Sequence, residues 1–244
     1  MRTFTSPRSL HWRESLSGYV GFRDPARLVD PDNEDGWAKV TLHLELEIPD
    51  YERFWEDRIT PPHPGHVLRA SDIPEHEHHV SIVKSWVESP ALGGCCRVTG
   101  GFISLLDDVP EPNGGGAVVL DDRHQRMYYC VEFDTKHGPL TLGGYKEVEG
   151  PASGFWSDTT TLLCHIYEGR GESVGEPSPD ILATGILRVS LIGFFRLSLS
   201  FRPGKKGDVL DGVRGTVTFF SGFLGHLWRV YGPGARPRTA AKGC

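Results

Sequence analysis

Three side chains sit where the sequence could give them chemistry: Lys146, Asp158 and His165. Lys146 falls in the alternation Leu140, Leu142, Gly144, Lys146, Val148, so a strand would place its ammonium among apolar neighbours. A charge in that setting must pair or change its protonation. The functional reading is a pocket lysine, facing an Asp, that donates to a substrate oxygen. The structural alternative is a lysine at a rim, its stem lying on apolar surface. Asp158 precedes a threonine run and shares a strand face with Thr160, Leu162, Cys164 and Ile166. A carboxyl group in an apolar pocket suits general acid or base work. Its structural alternative is a turn aspartate capping backbone amides. His165 shares the other face with Thr161, Leu163 and Tyr167 and could shuttle a proton near neutrality. An ordinary half-buried histidine is the plainer reading.

Other residues could form walls or bind metal. Tyr129, Trp156, Thr160, Leu142 and Met127 are candidate substrate-binding residues, since flat apolar rings with polar tips suit ligand pockets. His76, His78 and His79 in PEHEHH invite a metal reading, with Glu75 or Glu77 as further ligands. They lie in a Pro-flanked, charged segment, so the reading here is a solvated loop and no metal site. No nucleophile elbow or Ser-His-Asp order is evident, and no GxGxxG follows a strand. Hydrolysis and flavin or nicotinamide binding are therefore not supported, and no cofactor is expected.

The elements that must hold these residues are mostly strands. Val40, Leu42, Leu44, Leu46 and Ile48 alternate with polar residues without a break, the period of a half-buried strand. Residues 50–57 read as a helical turn, and 60–80 as loop. Residues 96–106 read as a strand bent at Gly100-Gly101. Residues 107–116 read as a turn. Met127, Tyr129, Val131 and Phe133 form another alternating face, turning at 136–139 into a partner strand over 140–148. Residues 157–167 predict a strand, 169–179 an exposed turn, and 181–201 two strands or one bent strand with its corner at Gly193. Val213, Val217, Phe220, Leu224, Leu227 and Tyr231 form a helical stripe that predicts a C-terminal helix. Phe219, Phe220, Phe223, Leu224 and Trp228 suggest contact with a membrane interface, but few lysines accompany them and core packing is the simpler reading.

The 244 residues include 30 Gly and 18 Pro, which favours short strands and tight turns over a helical bundle. The expected fold is a mainly β, antiparallel, lipocalin-like β-barrel of about eight strands with a C-terminal helix that plugs or flanks one end. A β-sandwich is the alternative. Residues 1–232 form one domain and 233–244 a disordered tail. The net charge of -6 argues against nucleic acid and gives no reason to expect attraction to anionic lipid. No run of apolar residues is long enough to span a membrane. The five cysteines form no CxxC pair, and the N-terminus carries no secretory signal, so a cytoplasmic protein with reduced thiols is expected.

Several segments carry a family resemblance. Met127-Tyr128-Tyr129, residues 139–148 (PLTLGGYKEV), 156–162 (WSDTTTL) and 183–188 (ATGILR) are similar to an accessory domain fused to cholesterol-oxidase-like flavoenzymes. Those enzymes belong to the glucose–methanol–choline oxidoreductase superfamily. The segments 14–19 (ESLSGY) and 223–231 (FLGHLWRVY) resemble its ends, so the similarity runs from about residue 14 to residue 231. WSDTTTL is the most specific of these, and the segment around 71–88 departs from the pattern. The resemblance implies sterol, terpenoid or polyketide chemistry, with a flavin oxidase or synthase as partner. It carries over no catalytic residue.

These readings converge on an isomerase or cyclase of secondary metabolism, including pericyclic chemistry, that folds a hydrophobic intermediate into one conformer. Lys146, Asp158 and His165 are its expected catalytic residues. The alternatives are a lipocalin-like carrier of a small hydrophobic molecule, or a module that docks on a flavin oxidase.

Overall fold

The computed structural model describes residues 9–24, 36–52, 54, 79–112, 118–149, 154–170, 181–203 and 209–232. Among the described residues, ten strands form a single antiparallel sheet. They are β1 (Leu10–Phe22), β2 (Trp37–Ile48), β3 (His79–Ile82), β4 (Trp86–Ser89) and β5 (Gly94–Pro112). The rest are β6 (Val118–Thr135), β7 (Gly138–Val148), β8 (Thr161–Glu168), β9 (Ile181–Arg188) and β10 (Arg202–Pro203). Three α-helices stand among the described residues: α1 (Phe155–Thr160), α2 (Leu191–Leu199) and α3 (Val209–Tyr231).

The pairings return on themselves. β1 pairs with both β2 and β9, and the ladder continues β9–β8–β7–β6–β5–β3–β2, a ring of eight strands. Period-two patterning turns one face of each strand inward. Val40, Leu42, Leu44, Leu46 and Ile48 on β2 are all buried, as are Met127, Tyr129, Val131 and Phe133 on β6. Each such aliphatic or aromatic side chain contributes roughly 1.5–3 kcal/mol by leaving water. β6 and β7 join through the two residues Lys136 and His137, where the sequence placed the turn. The bend in β5 is a register shift between Val98 and Gly100. Gly101 next to it has φ +117, and a Cβ there would lie 2.0 Å from the Cys130 carbonyl oxygen, so only glycine fits. Phe54 N–H donates to the Asp50 carbonyl, giving the helical turn expected after Pro49.

Four expectations are corrected. Residues 107–112 are strand and not turn, because β5 continues to Pro112 paired with the start of β6. The strand expected over 157–167 begins only at Thr161; before it stands α1. Thr159 and Thr160 bond their hydroxyls to the carbonyls of Phe155 and Trp156, at 2.7 and 2.5 Å, which lets β-branched residues sit in a helical turn. The second half of 181–201 is helix α2. Ser190 caps it by accepting from Gly193 N–H at 3.0 Å, so Gly193 lies inside a first turn and not at a strand corner. The C-terminal helix exists, and half of the predicted stripe is on its packed side. Leu227 is buried and Phe220 and Tyr231 pack against the core, together with Gly212, Gly215, Phe219, His226 and Val230, while Val213, Val217 and Leu224 are exposed. A Cβ on Gly212 would meet Pro203 at 2.5 Å, and one on Gly215 the Tyr51 ring at 2.8 Å. The glycine side allows the closer approach, and it decides which face is buried. The disordered tail expected at 233–244, and His76 and His78, lie outside the described residues. His79 begins β3.

Candidate functional site

An apolar cavity of 140 Å³ occupies one end of the ring. Inward residues of β1, β2, β5, β6 and β7 form its wall, among them Trp12, Leu46, Ile103, Met127 and Tyr129. The helices close it: Phe155, Thr159 and Thr160 from α1, Leu197 from α2, and Phe219, Phe220, Phe223 and Leu224 from α3. The aromatic part is tightly built. Trp12 stacks on Phe201 at 5.4 Å, and Phe201 lies 4.9 Å from Phe220 between ring centroids.

Three polar side chains meet in this wall. Lys146 Nζ donates to Glu14 Oε1 at 2.6 Å. The Tyr129 hydroxyl donates to Glu14 Oε2 at 3.1 Å. The Lys146 ammonium also lies 4.9 Å from the centroid of the Tyr129 ring. All three are nearly inaccessible to water, Lys146 at 3%, Glu14 at 6% and Tyr129 at 1%. β1 stands opposite β6 in the ring and three strands from β7, so the cluster bridges the interior. Burial, and then the Glu14 carboxylate, push the Tyr129 phenol well above its ordinary value. It therefore remains a hydroxyl donor throughout the physiological range.

Energetics make this cluster informative. Desolvating an ion pair costs about what the pairing returns, so well-packed apolar residues would serve stability equally well. Polar groups in an otherwise dry wall give a ligand something to be oriented by. An acceptor atom on a bound molecule can take a bond from Lys146 or Tyr129, and a ligand proton can be taken by Glu14.

The structure separates the residues expected to act together. Lys146, Tyr129, Met127 and Thr160 line the cavity, though the Thr160 hydroxyl is committed to the Trp156 carbonyl. Leu142 is fully buried but lies in the packed part of the core, outside the cavity wall. Trp156 is 37% exposed on α1. Asp158 is also on α1 and does not line the cavity. It accepts from the Tyr231 hydroxyl at 2.6 Å and from Ser157 at 3.0 Å, which ties α1 to the end of α3. His165 points away from the interior, opposite Leu162, Cys164 and Ile166. Burial, and then Arg23, hold its imidazole below its ordinary value. They miss the cavity for different reasons: Asp158 stands on α1 because the strand starts only at Thr161, and His165 is on that strand but its inward register falls on Leu162, Cys164 and Ile166.

Glu14 was not among the residues expected to act. Its signal lies in the first strand, where Leu10, Trp12, Leu16 and Val20 alternate inward and Glu14 occupies an apolar position. A carboxylate on the buried face of an alternating strand needs a partner, and Lys146 presents the same anomaly on β7.

One more cluster could hold a cation. His124, Glu147 and Glu149 bring ligand atoms within 4.8 Å of one another. Arg126 already donates to Glu147 at 2.7 Å, and His124 lies 2.5 Å from the same oxygen. Those bonds hold the Glu147 carboxyl below its ordinary value, His124 contributing most. The arrangement is an ion-pair network, and the guanidinium works against a metal ion.

Ring and capped cavity together define a mainly β protein with an apolar cavity and a buried polar triad in its wall. Comparison with protein-family models, with curated proteins and with solved structures gives no match.

Proposed function

We propose that this protein is an isomerase or cyclase whose eight-stranded ring acts as a lipocalin-like barrel, binding a hydrophobic molecule with one polar atom at the Glu14–Lys146–Tyr129 cluster. The observation that carries the proposal is the 2.6 Å Lys146–Glu14 contact set in an apolar cavity wall. Lys146 and Tyr129 would polarise a carbonyl or hydroxyl oxygen, and Glu14 would move a proton. The cavity shape would hold one conformer, and such orientation can supply up to about 7–11 kcal/mol. The resemblance to accessory domains of sterol-oxidising flavoenzymes suggests the polyketide, terpenoid or sterol-like substrate class. Size narrows it further. An apolar cavity of about 150 Å³ holds a molecule like benzene. A cavity of 140 Å³ therefore takes one ring or one chain end, with the rest of a larger substrate lying in the mouth.

A small probe tests this. 3-Cyclohexen-1-one fits the volume and becomes conjugated when one proton leaves C2 and one returns at C4. The wild-type protein is expected to form the conjugated enone, followed by its ultraviolet absorbance, and Glu14→Gln to slow this by about 10²-fold or more. Binding of the probe with its quantitative recovery unchanged would favour the carrier reading. Failure to bind any apolar probe of this size would remove both.

A further inference from the structure

The net charge of the chain conceals a division. Residues 188–244 hold ten of the 26 Lys and Arg but only two of the 32 Asp and Glu. Their net charge is +8, against −14 for residues 1–187, which together give the −6 of the whole. The same region exposes apolar surface in an ordered way. On α2, Leu191, Ile192, Phe195 and Leu199 are 63–87% exposed and lie on one side of the helix. On α3, Leu210, Val213, Val217, Leu224 and Trp228 recur at helical spacing and are 57–77% exposed. Arg196, Arg214 and Arg229 are exposed on the same two helices, Arg214 in an ion pair with Glu52 at 3.1 Å. Apolar stripes bordered by arginines, with Trp and Phe among them, match an interface between water and lipid. Contiguous apolar side chains exposed to water would normally be covered.

We infer that the α2–α3 face docks on an anionic lipid surface. The apolar stripes enter the acyl boundary, and the arginines of α2 and α3 meet the headgroups. Charge chooses this occupant over a second copy: the described residues of this region carry five arginines and one aspartate, so a copy would set like charge against like. The position of the cavity agrees. Leu224 belongs both to the cavity wall and to the exposed stripe, so the cavity opens at this face. Entry of an apolar ligand from the bilayer is a consequence that rests on the proposed function; docking itself does not.

Co-sedimentation of the full chain with vesicles tests the inference. Binding to equimolar phosphatidylglycerol and phosphatidylcholine is expected to be about tenfold or more tighter than to phosphatidylcholine alone, and to weaken in 0.5 M salt. Trp228 fluorescence should shift to the blue on binding, and Trp228→Phe should lose that shift. Leu199 and Val217 are exposed and lie outside the cavity wall. The double variant L199D/V217D should keep its far-ultraviolet circular dichroism and its probe binding, yet release the vesicles. Equal binding to both vesicle types, no binding, or unaltered binding by a folded double variant would overturn the inference. So would a dimer in sedimentation equilibrium that the double variant abolishes. Vesicle binding by Glu14→Gln separates this result from the fate of the cavity proposal.

Discussion

Lys146 and Glu147 are neighbours on β7 and belong to opposite worlds. Lys146 points into the ring, meets Glu14 at 2.6 Å and is 3% exposed. Glu147 points out, meets Arg126 at 2.7 Å, and its side chain is 28% exposed. The contacts are similar in length and chemistry. Water makes them different, because a partly solvated pair is screened and replaceable, whereas an isolated buried charge has nowhere to go. The inner pair thus carries a large penalty for being broken and little gain for being present. Such a pair is the better candidate for function.

The sharpest way to break the comparison is to remove one partner on each face. Lys146→Met should destabilise the protein by about 3–5 kcal/mol, read by denaturant unfolding, since Glu14 is left buried without its cation. Adding Glu14→Leu should recover most of that stability while the enone isomerisation stays lost. A double variant that is stable and still active would refute the site. On the outer face, Glu147→Gln should cost about 1 kcal/mol or less. It should also flatten the acid limb of stability. The Glu147 carboxyl is held below its ordinary value, so its contribution is full above the unfolded value and is lost as pH falls through the folded one. A smaller effect tests burial alone. The imidazole of His165 is held low, so the unfolded chain binds its proton first. Stability should fall as pH drops below about 6.5, and His165→Gln should remove that part of the slope. The smallest effect concerns thiols: burial pushes Cys130 and Cys164 up to about 12. Native labelling with a disulfide reagent should spare both and modify exposed Cys95.

Much of the fold was legible because strands announce themselves by alternation. β2, the inward face of β6, the two-residue turn after it and the face shared by Leu142 and Lys146 were all readable in that pattern. The site was half legible. Lys146, Tyr129 and Met127 stood on recognisable inward strand positions, whereas Thr160 reaches the cavity from α1 and not from the strand expected to carry it. Asp158 has no inward strand position, because Thr159 and Thr160 satisfy their hydroxyls within a helical turn, where residue type alone favoured a strand. Glu14 could be seen as an anomaly in its strand, but nothing local names a partner 132 residues away.

Period-two apolar patterning by itself determined that this chain builds an antiparallel β protein, and which faces of its strands turn inward, since side-chain direction follows backbone position. The tertiary structure decided the rest. Ring closure brought β1 across from β6 and β7, which made two separate anomalies into one ion pair. The close approach allowed by Gly212 and Gly215 chose the seat of α3 and left its valines and Trp228 outside. Both outcomes depend on distances between segments remote in sequence, and hydrophobic periodicity carries no information about those distances.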